Sequence, residues 1–180
     1  VNEELASLRK YGAKIVEVLV HAGYNVIFRP HPVSYDGVDR ELITSIEKKY
    51  SGTNAFSLDC SKDYFESYAK ADVLVTDLSG TGFTFSLAFL RPTIFFSVNR
   101  EAEKGLVGIQ FSDREKIGAV VHNMDDLIVN IDQLRNDDCS KYIASYRAQN
   151  IFNVENSTNY IVGAIDKILA GQRDNDWLVL

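Results

Sequence analysis

Residues 71–90 read ADVLVTDLSGTGFTFSLAFL, and this stretch decides the fold. An apolar strand, Asp72–Thr76, is followed by a loop of small residues, Asp77–Gly82, and then by an apolar helix that ends near Leu90. A strand that is apolar at nearly every position needs both of its faces buried, which is typical of a parallel sheet covered by helices. The stretch therefore predicts one strand–loop–helix unit of an α/β fold.

The same alternation continues in both directions along the chain. Strand-like segments alternate with segments of helical periodicity, and the connections between them are short. Such alternation predicts right-handed crossovers and a Rossmann-like parallel sheet with helices on both faces. The predicted strands are Tyr24–Phe28, Ala55–Leu58, Asp72–Thr76, Thr93–Ser97 and Val120–Val121, and polar helix starts are predicted at Asp39, Ser61 and Ser157.

The length of the chain and its lack of repeats and linkers predict how it is organised into domains. The 180 residues show no repeat, linker or low-complexity segment, so we predict a single Rossmann-like domain over 1–180 with a tail at 172–180 that contains Trp177. The chain begins with Val1 inside a helical pattern, and we therefore expect a fragment of a longer protein.

Composition excludes several classes of protein. The hydrophobic fraction of 46% suits a globular core, and the net charge of −6 provides no broad basic face for a nucleic-acid backbone. Two cysteines, Cys60 and Cys139, lie far apart, which favours a cytoplasmic location over a disulfide framework. No apolar run approaches the roughly 20 residues that span a bilayer. No H-x-x-x-H spacing or carboxylate cluster appears, so no metal site is predicted.

The loop Asp77–Gly82 is the first candidate binding site. Ligands of parallel α/β folds bind at the carboxyl ends of the strands, where helix N-termini favour anions. Ser79 and Thr81 offer hydroxyl groups there, and Gly80 and Gly82 permit close approach of the backbone. Two interpretations remain open at this point: a cradle for phosphate, or a turn whose polar residues merely cap the helix.

The turn Arg29–Pro32 is the second candidate site. It reads Arg-Pro-His-Pro and follows the first predicted strand, so it reaches the same edge as the Asp77–Gly82 loop. Two prolines stiffen the turn, and the guanidinium of Arg29 and the imidazole of His31 are suitable donors for an anion. We interpret the two turns together as one anion-binding edge.

These segments resemble a known family. The quoted stretches Phe28–Pro32, Ala71–Gly80, Phe83–Phe85 and Arg91–Phe96 are similar in order and content to the CDP-glycerol glycerophosphotransferase family, the teichoic-acid type polymerases and primases of the B-type glycosyltransferase architecture. The family pattern has an R/K-P-H-P turn, an A-D-x-x-x-T-D-Y-S-S strand and loop, an F-D-F/Y element and a K/R-P-apolar strand. The resemblance covers the C-terminal, donor-binding half.

The resemblance implies a transferase with a nucleotide-linked donor. An acceptor hydroxyl attacks the β-phosphorus of CDP-glycerol and CMP leaves, in synthesis of a cell-wall or surface polymer. His31 would be the catalytic residue, and no cofactor is expected, although Mg²⁺ can accompany the diphosphate. The implied substrate ligands are Arg29, His31, Asp77, Ser79, Gly80, Thr81, Gly82, Ser157 and Thr158.

The resemblance also sets expectations for location and partners. The partners would be the donor and the family's N-terminal domain, and without that domain we expect binding without transfer. Location would be cytoplasmic, with the inner face of the membrane as an open alternative. Arg29 could face either the phosphates or the rim of the sheet, and Ser157 with Thr158 would cap a helix aimed at the nucleotide.

Three positions depart from the family pattern and keep alternatives open. Leu78, Gly80 and Thr84 stand where the family has Tyr, Ser and Asp. Another B-type enzyme, one that uses a UDP-sugar or resembles UDP-GlcNAc 2-epimerase, is therefore the alternative. A receiver-like module phosphorylated at Asp77 is less favoured, because it needs an acidic pair after the first strand, where Arg29 and His31 stand.

Overall fold

The computed structural model describes residues 5–35, 37 and 39–174. Among them, strands and helices alternate as the sequence predicts. A π-helical turn, Leu8–Gly12, leads into the first α-helix. The strands are β1 (Val26–Phe28), β2 (Phe56–Leu58), β3 (Leu74–Thr76), β4 (Thr93–Phe96) and β5 (Gly118–Val121). The α-helices are α1 (Ala13–His21), α2 (Arg40–Tyr50), α3 (Phe65–Lys70), α4 (Thr81–Phe89), α5 (Arg100–Glu103), α6 (Ile109–Ser112), α7 (Met124–Asn136), α8 (Cys139–Asn150) and α9 (Ser157–Leu169).

The strands pair in parallel and form two sheets, with strand orders β1-β2 and β3-β4-β5. Phe28 lies opposite Leu58 in the first sheet, and Phe95 lies opposite Thr76 and Val120 in the second. The predicted parallel, Rossmann-like α/β fold is confirmed, although its strands are divided between two sheets instead of one. An apolar run indicates that a strand is buried but not which neighbour accepts its hydrogen bonds, so the division could not be predicted.

Helices cover both faces of β4. On one face, Ile94 and Phe96 lie in a buried cluster with Leu19 of α1 and with Leu127 and Ile131 of α7. Each of these side chains contributes about 2 kcal/mol by leaving water. On the opposite face, β4 contacts the first turns of α4, because successive side chains of a strand point to opposite sides. The carboxyl end of β3 is thereby fixed next to the start of α4.

The first sheet is covered by α1 and α2. Val16 of α1 packs with Ile46 and Tyr50 of α2 in a second buried cluster, against which Phe28 and Phe56 rest. The turn after β1 therefore starts from a well-packed strand.

The helix starts predicted at Asp39 and Ser157 are confirmed in position, although neither side chain makes a capping bond, and the start predicted at Ser61 is wrong. Asp39 precedes α2, but its carboxylate accepts from Arg9 Nε at 2.6 Å and makes no capping bond. Ser61 does not open α3, which begins at Phe65. Ser157 is the first residue of α9, but its hydroxyl donates to Asn153 O at 2.8 Å. Short polar side chains have several partners within reach, and a neighbour elsewhere in the fold often wins over the local cap.

The chain divides into two compact units, Val1–Ala144 and Ser145–Leu180. All the described strands belong to the first unit, and α9 belongs to the second. The predicted single domain with a tail at 172–180 stays a prediction. Trp177 lies outside the described residues.

Candidate functional site

The turn after β1 is held by the connection that follows β2. Arg29 Nη1 donates to Asp59 Oδ2 at 2.5 Å, and Arg29 Nη2 donates to Ser61 O at 2.8 Å. The pair is largely shielded, with 18% of the Arg29 side chain and 12% of the Asp59 side chain exposed. Most of the donor capacity of Arg29 is therefore directed at the rim of the first sheet, and its role as a substrate ligand stays a prediction.

Asp59 is the acceptor around which this rim is built. Its carboxylate also accepts from the backbone and hydroxyl of Ser61 and from the hydroxyl of Ser67. Burial by itself raises the pKa of Asp59, but the hydrogen bonds from Ser61, Ser67 and Arg29 outweigh it and hold that pKa well below its usual range. The carboxylate is therefore charged throughout the physiological pH range.

His31 is exposed at the tip of the same turn. Its Nδ1 accepts from the backbone N–H of Val33 at 3.3 Å, and its carbonyl oxygen accepts from the N–H of Ser34 at 2.8 Å. An accepting Nδ1 places the proton of a neutral imidazole on Nε2. The exposed imidazole thus carries its N–H donor at Nε2.

The loop after β3 carries two hydroxyl groups at the start of α4. Ser79 Oγ lies 2.5 Å from Thr81 Oγ1 and accepts from the backbone N–H of Thr81 at 3.2 Å. Helix α4 has nine residues and begins at Thr81. The hydroxyl of Ser79 thus satisfies a backbone donor of the first turn of α4.

Gly82 allows α4 to approach β4 closely. A Cβ added at Gly82 would lie 2.7 Å from Phe95 Cε1 and 3.0 Å from Thr93 Cγ2. Thr93 Oγ1 donates to Gly82 O at 3.0 Å and lies 2.8 Å from the buried Ser86 Oγ. Gly80, by contrast, is exposed and has open space where a Cβ would be. The Gly82 side of the loop is therefore held against β4, while the Gly80 side is open to solvent.

Asp77, a predicted ligand, is connected to the N-terminal segment. Its Oδ2 accepts from the backbone N–H of Ser7 at 2.9 Å and from Ser7 Oγ at 3.1 Å. These bonds tie the loop to the residues that precede α1. The predicted contact of Asp77 with substrate stays a prediction.

Helix α3 contacts the surroundings of both turns. Tyr68 of α3 is buried, with 5% exposed, and packs edge-on against Phe85 of α4. Burial raises the pKa of Tyr68, while the charge of Arg29 and a hydrogen bond with Thr81 act to lower it. The neighbouring Ser67 donates to Asp59, the partner of Arg29, so α3 is linked to the first turn and packs on the helix that follows the second.

Ser157 and Thr158 lie in the second compact unit, at the start of α9, and both are exposed. Their predicted role at the nucleotide stays a prediction.

Several residues of this edge had no signal in the sequence. Asp59, Ser67 and Tyr68 have ordinary neighbours along the chain, and they matter because folding brings them to Arg29 and Thr81. A small clue existed for Asp59, since it directly follows β2 at the ligand-binding edge of a parallel fold.

One groove lies away from this edge. It has a volume of about 400 Å³ and is lined near the starts of β3 and β4 by Asp72, Arg91 and Pro92. Arg91 Nη1 is occupied there by the carbonyl oxygens of Ala69 and Ala71, at 2.8 and 2.7 Å. The amino ends of strands are not where parallel α/β folds bind ligands, so we place the candidate site at the carboxyl edge instead.

Two features were searched for within residues 5–35, 37 and 39–174. That part of the chain contains no group of three or more His, Cys, Asp or Glu side chains able to hold a metal ion. It also contains no helix that is both long and apolar enough to span a bilayer.

The parallel strands, the helices on both faces and the loop at the start of α4 define a Rossmann-like α/β fold of the kind found in glycosyltransferases. Residues 12–167 match the sequence model of the family described as CDP-Glycerol:Poly(glycerophosphate) glycerophosphotransferase, and the chain belongs to that family. The resemblance of the Arg29–Pro32 and Ala71–Gly80 segments is thereby confirmed, and glycerophosphotransferase activity is the family's chemistry. Neither the curated proteins nor the solved structures contain a match to the chain.

Proposed function

We propose that this chain is the donor-binding part of a transferase that moves glycerol phosphate from CDP-glycerol to an acceptor hydroxyl. This transfer would take place in the cytoplasm as a step in the synthesis of a cell-wall or surface polymer. The family to which the chain belongs supports a CDP-linked donor. The proposal adds the place where that donor binds, the edge formed by the Arg29–Pro32 turn and the Asp77–Gly82 loop.

The position of helix α3 carries the proposal. Its Ser67 donates to Asp59, which pairs with Arg29 of the first turn, and its Tyr68 packs on Phe85 of α4, the helix that begins in the second turn. A diphosphate at this edge would meet an imidazole from one side and a helix N-terminus from the other.

The residues would act by binding and orientation. His31 Nε2–H would donate to one phosphate, and the hydroxyls and N–H groups from Ser79 to Gly82 would surround the other. The acceptor oxygen forms its bond to the β-phosphorus as the bond to the CMP oxygen breaks, and the same donors stabilise the charge that develops on the departing CMP. The roles of Arg29, Asp77, Ser157 and Thr158, and any Mg²⁺ with the diphosphate, belong to this proposal as secondary expectations.

Calorimetric titration with CMP and CDP-glycerol tests the proposal. We expect wild type to bind both, and His31→Ala and Ser79→Ala each to weaken binding roughly tenfold, since a hydrogen bond to a charged group is worth about 1.5–3 kcal/mol. The matched controls are His21→Ala and Ser45→Ala, which change exposed residues of α1 and α2. Equal affinities of all five proteins for both ligands would show that the site assignment is wrong.

A UDP-linked sugar donor is the second candidate. It is favoured by Thr84, which stands where the family pattern has a carboxylate. Competition between CMP and UMP separates the two donors. Preference for UMP would replace the cytidine donor by a uridine donor at the same edge.

A further inference from the structure

A buried ion pair lies in the connection between β4 and β5. Arg114 Nη2 donates to Glu103 Oε2 at 2.7 Å, and 9% and 10% of the two side chains are exposed. Arg114 Nε donates to Phe111 O at 3.4 Å, and the guanidinium carbon lies 5.9 Å from the centre of the Phe95 ring. The Arg114–Glu103 pair therefore packs against the face of β4 that carries Phe95.

The pair lies on the face of β4 that carries the candidate loop. Phe95 is the ring that an added Cβ at Gly82 would touch, so Arg114 and the start of α4 share one neighbour. Ser97 follows on the same face, because side chains two residues apart point to the same side of a strand. The pair therefore packs against the same ring as the start of α4, where the diphosphate is proposed to bind.

Each partner keeps one polar atom that no described residue satisfies. Arg114 Nη1 and Glu103 Oε1 are buried without a hydrogen-bond partner among residues 5–35, 37 and 39–174, and the same holds for Ser97 Oγ and His122 Nδ1. An unmade hydrogen bond of this kind costs about 1–3 kcal/mol, so a native fold retains it where a ligand or solvent completes the site. Because the two charges cancel, a neutral group fits better than an anion.

We propose that the Arg114–Glu103 pair reads the base of the donor. The pair keeps an unused donor, Nη1, on its guanidinium and an unused acceptor, Oε1, on its carboxylate, and this combination complements a base edge with an acceptor beside an amino group. Cytosine has that edge: its 4-amino group donates to Glu103 Oε1, and its ring acceptor receives from Arg114 Nη1. Uracil carries a carbonyl oxygen at position 4, which would face the carboxylate oxygen unfavourably. The inference rests on the proposed function and adds the basis of its preference for cytidine.

Arg114 Nη1 and Glu103 Oε1 are both closed to solvent. A base therefore reaches them only after the segment that contains α6 moves. Phe111, whose carbonyl oxygen accepts from Arg114, belongs to the short helix α6. That helix is entered through Gly105 and Gly108, both with φ in the left-handed region, at 81° and 118°. Leu106 and Val107 between them are 40% and 86% exposed. Few buried contacts oppose the displacement of this segment.

The test compares the ratio of CMP to UMP affinity in wild type, Glu103→Gln and Glu101→Gln by calorimetry. We expect wild type to favour CMP and Glu103→Gln to lower the ratio at least tenfold, because a glutamine amide can donate to the oxygen of uracil. Glu101→Gln, an exposed residue of the same helix, keeps the ratio of wild type. Ribose 5-phosphate, which has no base, binds equally to all three proteins.

The outcomes separate this inference from the proposed function. If wild type binds CMP and Glu103→Gln leaves the ratio unchanged, base reading by this pair is wrong and the donor site stands. If wild type binds no nucleotide, the proposed function fails. Should Glu103→Gln not fold, NMR of the arginine side chains in wild type decides: CMP shifts the Arg114 signal and ribose 5-phosphate does not. An Arg114 signal that ignores CMP overturns the inference.

Discussion

The turns after β1 and β3 reach the same edge but are fixed by different forces. Charged hydrogen bonds between Arg29 and Asp59 hold the first turn. Steric contact at Gly82 and neutral hydrogen bonds from Thr93 hold the second. The comparison teaches that the most conspicuous charge of a motif can support the scaffold, while less conspicuous hydroxyl and imidazole groups stay accessible to ligand.

The largest effect is expected where contact is closest. Gly82→Ala places a methyl group 2.7 Å from the Phe95 ring and should lower the free energy of unfolding by about 3 kcal/mol. Gly80→Ala is the matched control, since its φ of −57° suits any residue and nothing lies near its Cβ. Urea unfolding measures both. Similar losses at the two glycines would mean that packing does not fix the second turn.

A smaller loss is expected at the charged turn. Asp59→Asn removes the charge that Arg29, Ser61 and Ser67 surround, and we expect the protein to lose about 2 kcal/mol of stability. Asp72→Asn, an exposed residue before β3, serves as control and should change stability by less than about 0.5 kcal/mol. Thermal or urea unfolding at pH 7 decides, and equal stabilities of the two variants would remove the charged network from the comparison.

The difference between wild type and Asp59→Asn should depend on pH. Because the folded pKa of Asp59 is lowered, its contribution is complete above the unfolded value near 4 and is lost as pH falls toward the folded pKa. We expect the difference to shrink by about 1 kcal/mol between pH 6 and pH 3. Urea unfolding at both pH values measures it. A constant difference would show that the carboxylate is not stabilised by folding.

The smallest effect is expected at the capping hydroxyl. Ser79→Ala removes the acceptor of the Thr81 N–H and should cost about 0.5 kcal/mol, at the low end for a cap because the loop is partly exposed. The same variant is expected to weaken donor binding much more than folding. A stability loss as large as that of Gly82→Ala would make Ser79 part of the scaffold.

The sequence predicted what depends on local pattern. Apolar runs located every described strand within one or two residues. The two turns were also located, because they follow strands directly. What the pattern lacked was the identity of distant partners: Asp39 pairs with Arg9 instead of capping, and Arg29 pairs with Asp59. Such choices depend on tertiary contacts that a single chain pattern does not encode.

The irregular stretch between β4 and β5 illustrates the same limit. It contains α5, α6 and the buried Arg114–Glu103 pair, none of which the sequence analysis above predicts. Charged residues are rarely buried unless paired, and sequence offers no way to see which pair will form.

The missing side chain at Gly82 sets how near a helix can come to a strand, and it does so jointly with the size of Phe95. Volume lost at one of these positions is available to the other. Among related chains, a larger residue at the glycine position should therefore coincide with a smaller one at the phenylalanine position. In this chain, Phe95→Leu should restore part of the stability that Gly82→Ala removes, so that the double variant is more stable than the sum of its single changes implies.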